Sequence, residues 1–234
     1  MRQSPFIWLG SGRTRKRGVA PKGKKLDMAA RGGLPVPKGG ILLDEFYRIC
    51  LSEGLIELIG DRVIITDPVW LHEVLYQDVR FPRLKGVVAV RSATASSSGG
   101  KPQSFSQLGV DFVDPQQMAT SLRKVWSAME PQNESCQMDV IVMEMVAVQT
   151  RGVAISAQDE AEDETTVRGD SQNPMGNHLL LPRLRAFRGP SADMPHYARR
   201  LQRLLSGMRR TFGRGNYEIE WADDGRICWL LQIL

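Results

Sequence analysis

The sequence predicts a mixed α+β fold, not a strict alternation of parallel strands and crossover helices. Three observations carry this. Apolar residues recur three and four apart in the groups Phe46, Ile49, Cys50, in Met118, Leu122, Val125, Trp126, Met129, and in Tyr197, Leu201, Leu204, Leu205, Met208, which is helical spacing. Short apolar or alternating runs at 41–43, 63–65, 87–90, 138–148, 151–157, 217–222 and 227–232 read as strands. The second half places strands beside one another, with Asp223-Asp224-Gly225-Arg226 as a hairpin turn.

In chain order, residues 1–20 are basic and glycine-rich and read as a loop-like segment. Lys24 to Arg31 suits a short helix stopped by Gly32-Gly33, and Pro35 and Pro37 force the chain to extend. Asp44 caps a helix expected to reach Ile59, ended by Gly60. Pro68 opens another, to about Gln77. Residues 95–108 read as a Ser/Gly loop, and Pro115 starts the next helix. The runs at 138–148 and 151–157 read as neighbouring strands turning near Thr150-Arg151-Gly152. The acidic run Asp159 to Glu164 reads as solvated loop, 165–167 as strand and 169–190 as loop. Ser191 or Asp193 caps a helix to about Phe212, and the final hairpin follows. No internal repeat is present. The expected organisation is one domain over 21–234, with lobes of about 21–110 and 111–234.

Composition excludes several classes. No apolar run approaches the roughly 20 residues of a membrane span. The N-terminus lacks a secretory pattern, because Pro5-Phe6-Ile7-Trp8-Leu9 is short and basic residues follow it. Cys50, Cys136 and Cys228 are odd in number and far apart, so they read as reduced thiols of a cytoplasmic protein. The formal net charge of +5 can attract nucleic acid or nucleotides, but no aromatic residues interleave with the basic ones to form a stacking platform, which argues against nucleic acid. There is no Gly-x-x-x-x-Gly-Lys-(Ser/Thr) loop, and His72, His178 and His196 are scattered.

The chemically informative stretch is Val87-Val88-Ala89-Val90-Arg91-Ser92-Ala93-Thr94, followed by Ala95-Ser96-Ser97-Ser98-Gly99-Gly100. A buried strand delivering an arginine beside a glycine-rich loop suits phosphate, since the guanidinium is a fixed planar fork and glycines let backbone N–H groups approach. Three further segments matter. They are Lys22-Gly23 leading to Gly33-Leu34-Pro35-Val36-Pro37-Lys38-Gly39, then Val140-Ile141-Val142-Met143-Glu144-Met145-Val146 with Arg151-Gly152-Val153-Ala154, and finally Tyr217-Glu218-Ile219-Glu220-Trp221 through Leu230-Leu231-Gln232.

Together, and in this order over about residues 19–233, the four segments resemble the N-terminal ATP-binding domain, of ATP-grasp type, of phosphoenolpyruvate synthases and pyruvate phosphate dikinases. The resemblance implies a two-lobed fold with ATP and Mg²⁺ between the lobes. It implies that Arg91 and Lys22 contact phosphates, with Ser92 and Thr94 beside them. It implies that Met143, Glu144, Met145 and Val146 meet the adenine and ribose, and that Glu220 and Gln232 hold the metal. The alternation of Glu218, Glu220 and Ala222 puts these three on one strand face.

The chain also departs from the family pattern. Ser96-Ser97 replaces an acidic pair, Ser104-Phe105-Ser106-Gln107 lacks a glycine, Ala20-Pro21 replaces Gly-Gly, residues 158–189 lack Gly-Leu-Gly-Glu, and Leu234 replaces an arginine. No phosphohistidine motif surrounds any histidine. The implied activity is therefore phosphate transfer from ATP to a histidine carrier supplied in trans. A nucleotide-binding or protein-interaction module without turnover and a basic nucleic-acid binder are the alternatives.

Overall fold

A computed structural model describes residues 4–94, 105–129, 131–133, 136–168, 176–184 and 189–234. The glycine-rich segment 95–100 lies outside the described residues. The chain divides into two compact units, one of residues 1–27 and 38–145, the other of 28–37 and 146–234. The division falls after Met145 and not near residue 110, because the helix that follows residue 110 packs in the first unit's core and the strand at 140–144 is the central strand of its sheet.

In the first unit, β1 (Phe6–Trp8), β2 (Gly39–Leu42), β5 (Val87–Ser92), β6 (Ser106–Asp111) and β7 (Val140–Glu144) form one antiparallel sheet in the order β1-β2-β7-β5-β6. The N-terminal segment is thus partly strand: Ile7 pairs with Ile41 and is buried. Register and alternation sort the side chains. Leu42, Val88, Val90, Val140 and Val142 face a large apolar core with α2 (Asp44–Ser52), α3 (Pro68–Glu73) and α4 (Pro115–Ser127). Ile41, Ala89, Arg91, Ile141 and Met143 occupy the opposite face. That face meets the start of α1 (Pro21–Arg31), where a Cβ on Gly23 would sit 3.1 Å from Ile41 Cδ1.

Two helix starts follow directly from an Asp-Pro pair. Asp67 accepts from the N–H groups of Val69 and Trp70, and Asp114 from those of Gln116 and Gln117, while the proline fills the first helical position. The helix from Asp44 stops at Ser52 instead of reaching Ile59. Gly54, at φ 69°, turns the chain, and Leu55 N–H returns to the Cys50 carbonyl, so the residues beyond form the hairpin β3 (Ile56–Ile59)–β4 (Arg62–Ile65). Residues 106–108, expected as loop, belong to β6.

In the second unit, β8 (Thr150–Ser156), β9 (Glu162–Val167), β10 (Asn177–Pro182), β11 (Tyr217–Asp223) and β12 (Cys228–Ile233) form an antiparallel sheet in the order β10-β9-β8-β11-β12. The runs at 138–148 and 151–157 are therefore not partners: β7 and β8 lie in different sheets. One sheet face carries Ala154, Leu181, Ile219 and Trp221, and the buried stripe Leu201, Leu204, Leu205 and Met208 comes from α5 (His196–Phe212). Tyr197 stacks on Trp221 at 5.9 Å, and Trp221 Nε1 donates to Thr165 Oγ1 at 3.0 Å. The acidic run is not all solvated loop. Glu162 to Glu164 lie in β9, with Asp163 facing inward.

Cys50, Cys136 and Cys228 carry free thiols. Burial pushes the Cys50 thiol up to about 12 and that of Cys228 up as well, so neither is a thiolate at neutral pH.

Candidate functional site

In the first unit Arg91, Ser92 and Thr94 lie at the end of β5 with the first turn of α1 beside them, whereas Met143, Glu144 and Met145 lie toward its start. Arg91 is 8 % exposed and stands on the sheet face that meets α1. Lys22, in the first turn of α1, is 6 % exposed and lies on the helix's buried stripe with Leu26 and Ala29. The same turn touches the strand end: a Cβ on Gly23 would be 3.5 Å from that of Ala93. Two buried cations and the N-terminal turn of a helix thus come from elements in contact.

Other predicted residues have different surroundings. Ser92 points to the side of the sheet opposite Arg91, and its Oγ accepts the Phe105 N–H at 3.1 Å. It is tied into the strand pair and does not share Arg91's face, because neighbouring strand residues alternate. The Thr94 hydroxyl donates to the Gln137 carbonyl at 2.6 Å. Met143 shares Arg91's face and is buried, its backbone close against Gly39, where any Cβ would strike it. Glu144 Oε1 accepts the Lys85 N–H at 2.9 Å. The Met145 N–H donates to the Val87 carbonyl at 3.0 Å and its sulfur faces the Gly109 N–H, so this N–H is spent on the ladder and cannot read an adenine edge. Val146 is half-buried in the second unit.

A residue that sequence reasoning missed organises this end of the sheet. Asp139, fully buried just before β7, accepts the Ala20 N–H on Oδ2 at 2.7 Å and the Asp44 N–H on Oδ1 at 2.7 Å. Its carbonyl accepts the Ala93 N–H at 2.9 Å. The available signal was a carboxylate heading an otherwise apolar strand. Burial pushes its carboxyl up to about 6, against the pull of the Ala20 and Asp44 N–H groups and with added repulsion from Asp44 and Glu45.

A carboxyl whose folded value lies above its unfolded one stabilises the fold fully below about pH 4, and the contribution disappears as pH rises through about 6. The shift of about 2 corresponds to about 3 kcal/mol. Urea unfolding from pH 4 to 7 should show this fall in wild type and not in Asp139→Asn; parallel profiles for the two would contradict it.

In the second unit, Glu220 and Gln232 are direct cross-strand partners on β11 and β12, so their side chains stand side by side on one face. Gln232 is buried and Glu220 half-buried, with Arg168 Nη2 at 4.0 Å from its Oε1. One carboxylate and one amide oxygen fit two positions around Mg²⁺, which keeps waters and takes substrate phosphates for the rest. Among the described residues no cluster of three or more His, Cys, Asp or Glu forms a metal site without such help. Nor is any described helix long and apolar enough to cross a membrane.

No protein-family model matches the chain, and no curated protein matches it. Solved structures do. One is D-alanine–D-alanine ligase from Bacillus anthracis complexed with ATP, at 8% identity and TM-score 0.48, covering 92% of this chain and 55% of that one. Another is N5-carboxyaminoimidazole synthase from Aspergillus clavatus in complex with ADP and 5-aminoimidazole ribonucleotide, at 14% identity and TM-score 0.43, covering 90% and 42%. A third is L-amino acid ligase from Bacillus licheniformis, at 10% identity and TM-score 0.46, covering 92% and 42%. The chain thus spans about half the length of the structures it is similar to.

Proposed function

We propose that the chain is a nucleotide-binding module of ATP-grasp type that takes ATP with Mg²⁺ and serves phosphate transfer in the cytoplasm. The observation that carries this reading is the joint burial of Arg91 and Lys22 at one end of one sheet, with the first turn of α1 alongside. Arg91 grips phosphate oxygens bidentately, and Lys22 adds a point charge. Glu220 and Gln232 offer adjacent oxygens to the metal. Bound Mg²⁺ would supply charge neutralisation at the phosphates. In phosphoryl transfer such positioning and charge stabilisation make up most of the protein's task.

The resemblance to the dikinase family makes a histidine on a separate carrier the proposed acceptor. No histidine here has the matching context. A nucleotide-binding or protein-interaction module without turnover is the second reading, favoured by the lack of Gly-Leu-Gly-Glu in residues 158–189 and by Leu234 standing where the family pattern has an arginine. Calorimetric titration with ATP, with and without Mg²⁺, followed by product analysis, separates the two. AMP and a phosphorylated carrier support transfer; tight binding with neither AMP nor ADP supports the second reading; no binding rejects transfer and nucleotide binding alike.

Glu220→Gln should weaken ATP binding about tenfold or more in the presence of Mg²⁺, the worth of one charge-assisted contact, and leave metal-free binding unchanged. An equal loss in both conditions would remove Glu220 from the metal site.

A further inference from the structure

We propose that Asp139 is a positioning residue that clamps the start of α1 to the end of β5, its buried carboxylate holding the Ala20 N–H and its backbone carbonyl the Ala93 N–H, and so fixes Lys22 relative to Arg91. The inference rests on the phosphate-binding reading only for its consequence in affinity; the clamp itself is geometric.

Three chain segments meet at this one residue. Oδ2 takes the N–H of Ala20, two residues before Lys22. The carbonyl takes the N–H of Ala93, two residues after Arg91. Oδ1 takes the N–H of Asp44 at the first position of α2, which anchors the carboxylate from a third direction. Neighbouring bonds repeat the pattern. Gln137 Nε2 donates to the Gly18 carbonyl at 3.2 Å, and the Gln137 carbonyl takes the Thr94 hydroxyl. Residues 137–139 therefore stitch the chain ahead of α1 to the chain leaving β5.

The cost of this arrangement argues for a role beyond packing. A fully buried carboxylate is expensive, and an apolar residue would continue the run Val140-Ile141-Val142 without that penalty. What an apolar residue cannot do is accept two backbone N–H groups from segments that are far apart in sequence. Both donors would otherwise be stranded, and Ala20 is the last residue before the helix that carries Lys22. Long cations hold a phosphate well only when their backbone anchors are fixed, because a displacement of about 1 Å can cost about a hundredfold in rate.

The test is amine acylation of the intact chain, read residue by residue by mass spectrometry. Lys22 is buried while Lys24 and Lys25 on the same helix are exposed and act as internal references. Asp139→Ala should raise the Lys22 rate relative to Lys24 about tenfold or more, the loss of one strong hydrogen bond. Val142→Ala, a core truncation on the other sheet face, serves as a destabilised control and should leave the ratio unchanged. An unchanged ratio in Asp139→Ala, or an equal rise in both variants, overturns the clamp.

If Asp139→Ala does not fold, native-state hydrogen exchange on the wild type decides. The Ala20, Asp44 and Ala93 amides should share one opening free energy and one denaturant dependence, and independent values overturn the proposal. A second arm adds MgATP to the wild type. If MgATP does not protect Lys22, the phosphate-binding reading fails while the clamp stands on the first arm. If MgATP protects Lys22 and Asp139→Ala leaves both labelling and affinity unaltered, the clamp fails alone.

Discussion

Arg91→Met should weaken MgATP binding about a hundredfold without unfolding the protein. Two charge-assisted hydrogen bonds are worth about 1.5 to 3 kcal/mol each, and about 3 kcal/mol is a little over a hundredfold in dissociation constant. Methionine keeps much of the aliphatic stem, so the face shared with Ala89, Ile141 and Met143 stays filled. Arg91→Lys should fall in between: the charge remains but the planar fork is lost. Calorimetry at fixed salt measures all three proteins. If Arg91→Met binds MgATP as tightly as wild type, Arg91 is a structural cation, and the functional reading loses its main support.

Much of the fold was legible where a local pattern coincided with a buried face. The final hairpin is one case: Asp223-Asp224-Gly225-Arg226 supplies the turn, with Asp224 Oδ1 accepting the N–H groups of Arg226 and Ile227, and the flanking strands alternate. The helices at 115–127 and 196–212 were legible for the same reason. Several strands were not, β6 and β10 among them. In β6 the sequence Ser-Gln-Leu-Gly-Val-Asp buries only Val110, and β10 buries only Leu181. Each lies at a sheet edge, where the backbone ladder to one neighbour holds the strand and side-chain pattern contributes little. The overrun of the Asp44 helix has a different cause. Leu55, Leu58 and Ile59 continue the helical spacing by chance, and Gly54 at positive φ was the stop signal that outranked them.

The candidate site was legible one residue at a time. An arginine closing an apolar strand and a lysine opening a helix can each be read from the chain, and both are buried at the same sheet end. Which strand face a residue serves depends on register, and that is why Ser92 was placed with Arg91 although alternation puts it behind the sheet. Asp139 could not be recognised in sequence because its partners are 95 and 119 residues away. Non-local backbone donors leave no mark near the acceptor.

The second large effect concerns a carboxylate that composition disguised. Asp163→Ala should cost the second unit about 3 kcal/mol, the low end for breaking a buried ion pair. Asp163 is 1 % exposed and accepts from Arg183 Nε at 3.0 Å and from Arg209 Nη1 at 2.7 Å. Arg209 also donates to Ser156 Oγ, and Arg183 to the carbonyls of Ala157 and Gln158. Alanine would leave two guanidinium groups facing each other without a counter-charge. They are 19% and 18% exposed, so water relieves part of the cost, which keeps the expected loss at the lower end. Asp163→Asn keeps one acceptor and should cost less. Urea unfolding, together with faster amide exchange across β8, β9 and β10, measures the effect. A loss below about 1 kcal/mol would class the cluster with surface pairs. The acidic run would then be what its composition suggested, a solvated segment with one side chain turned inward by the strand's alternation.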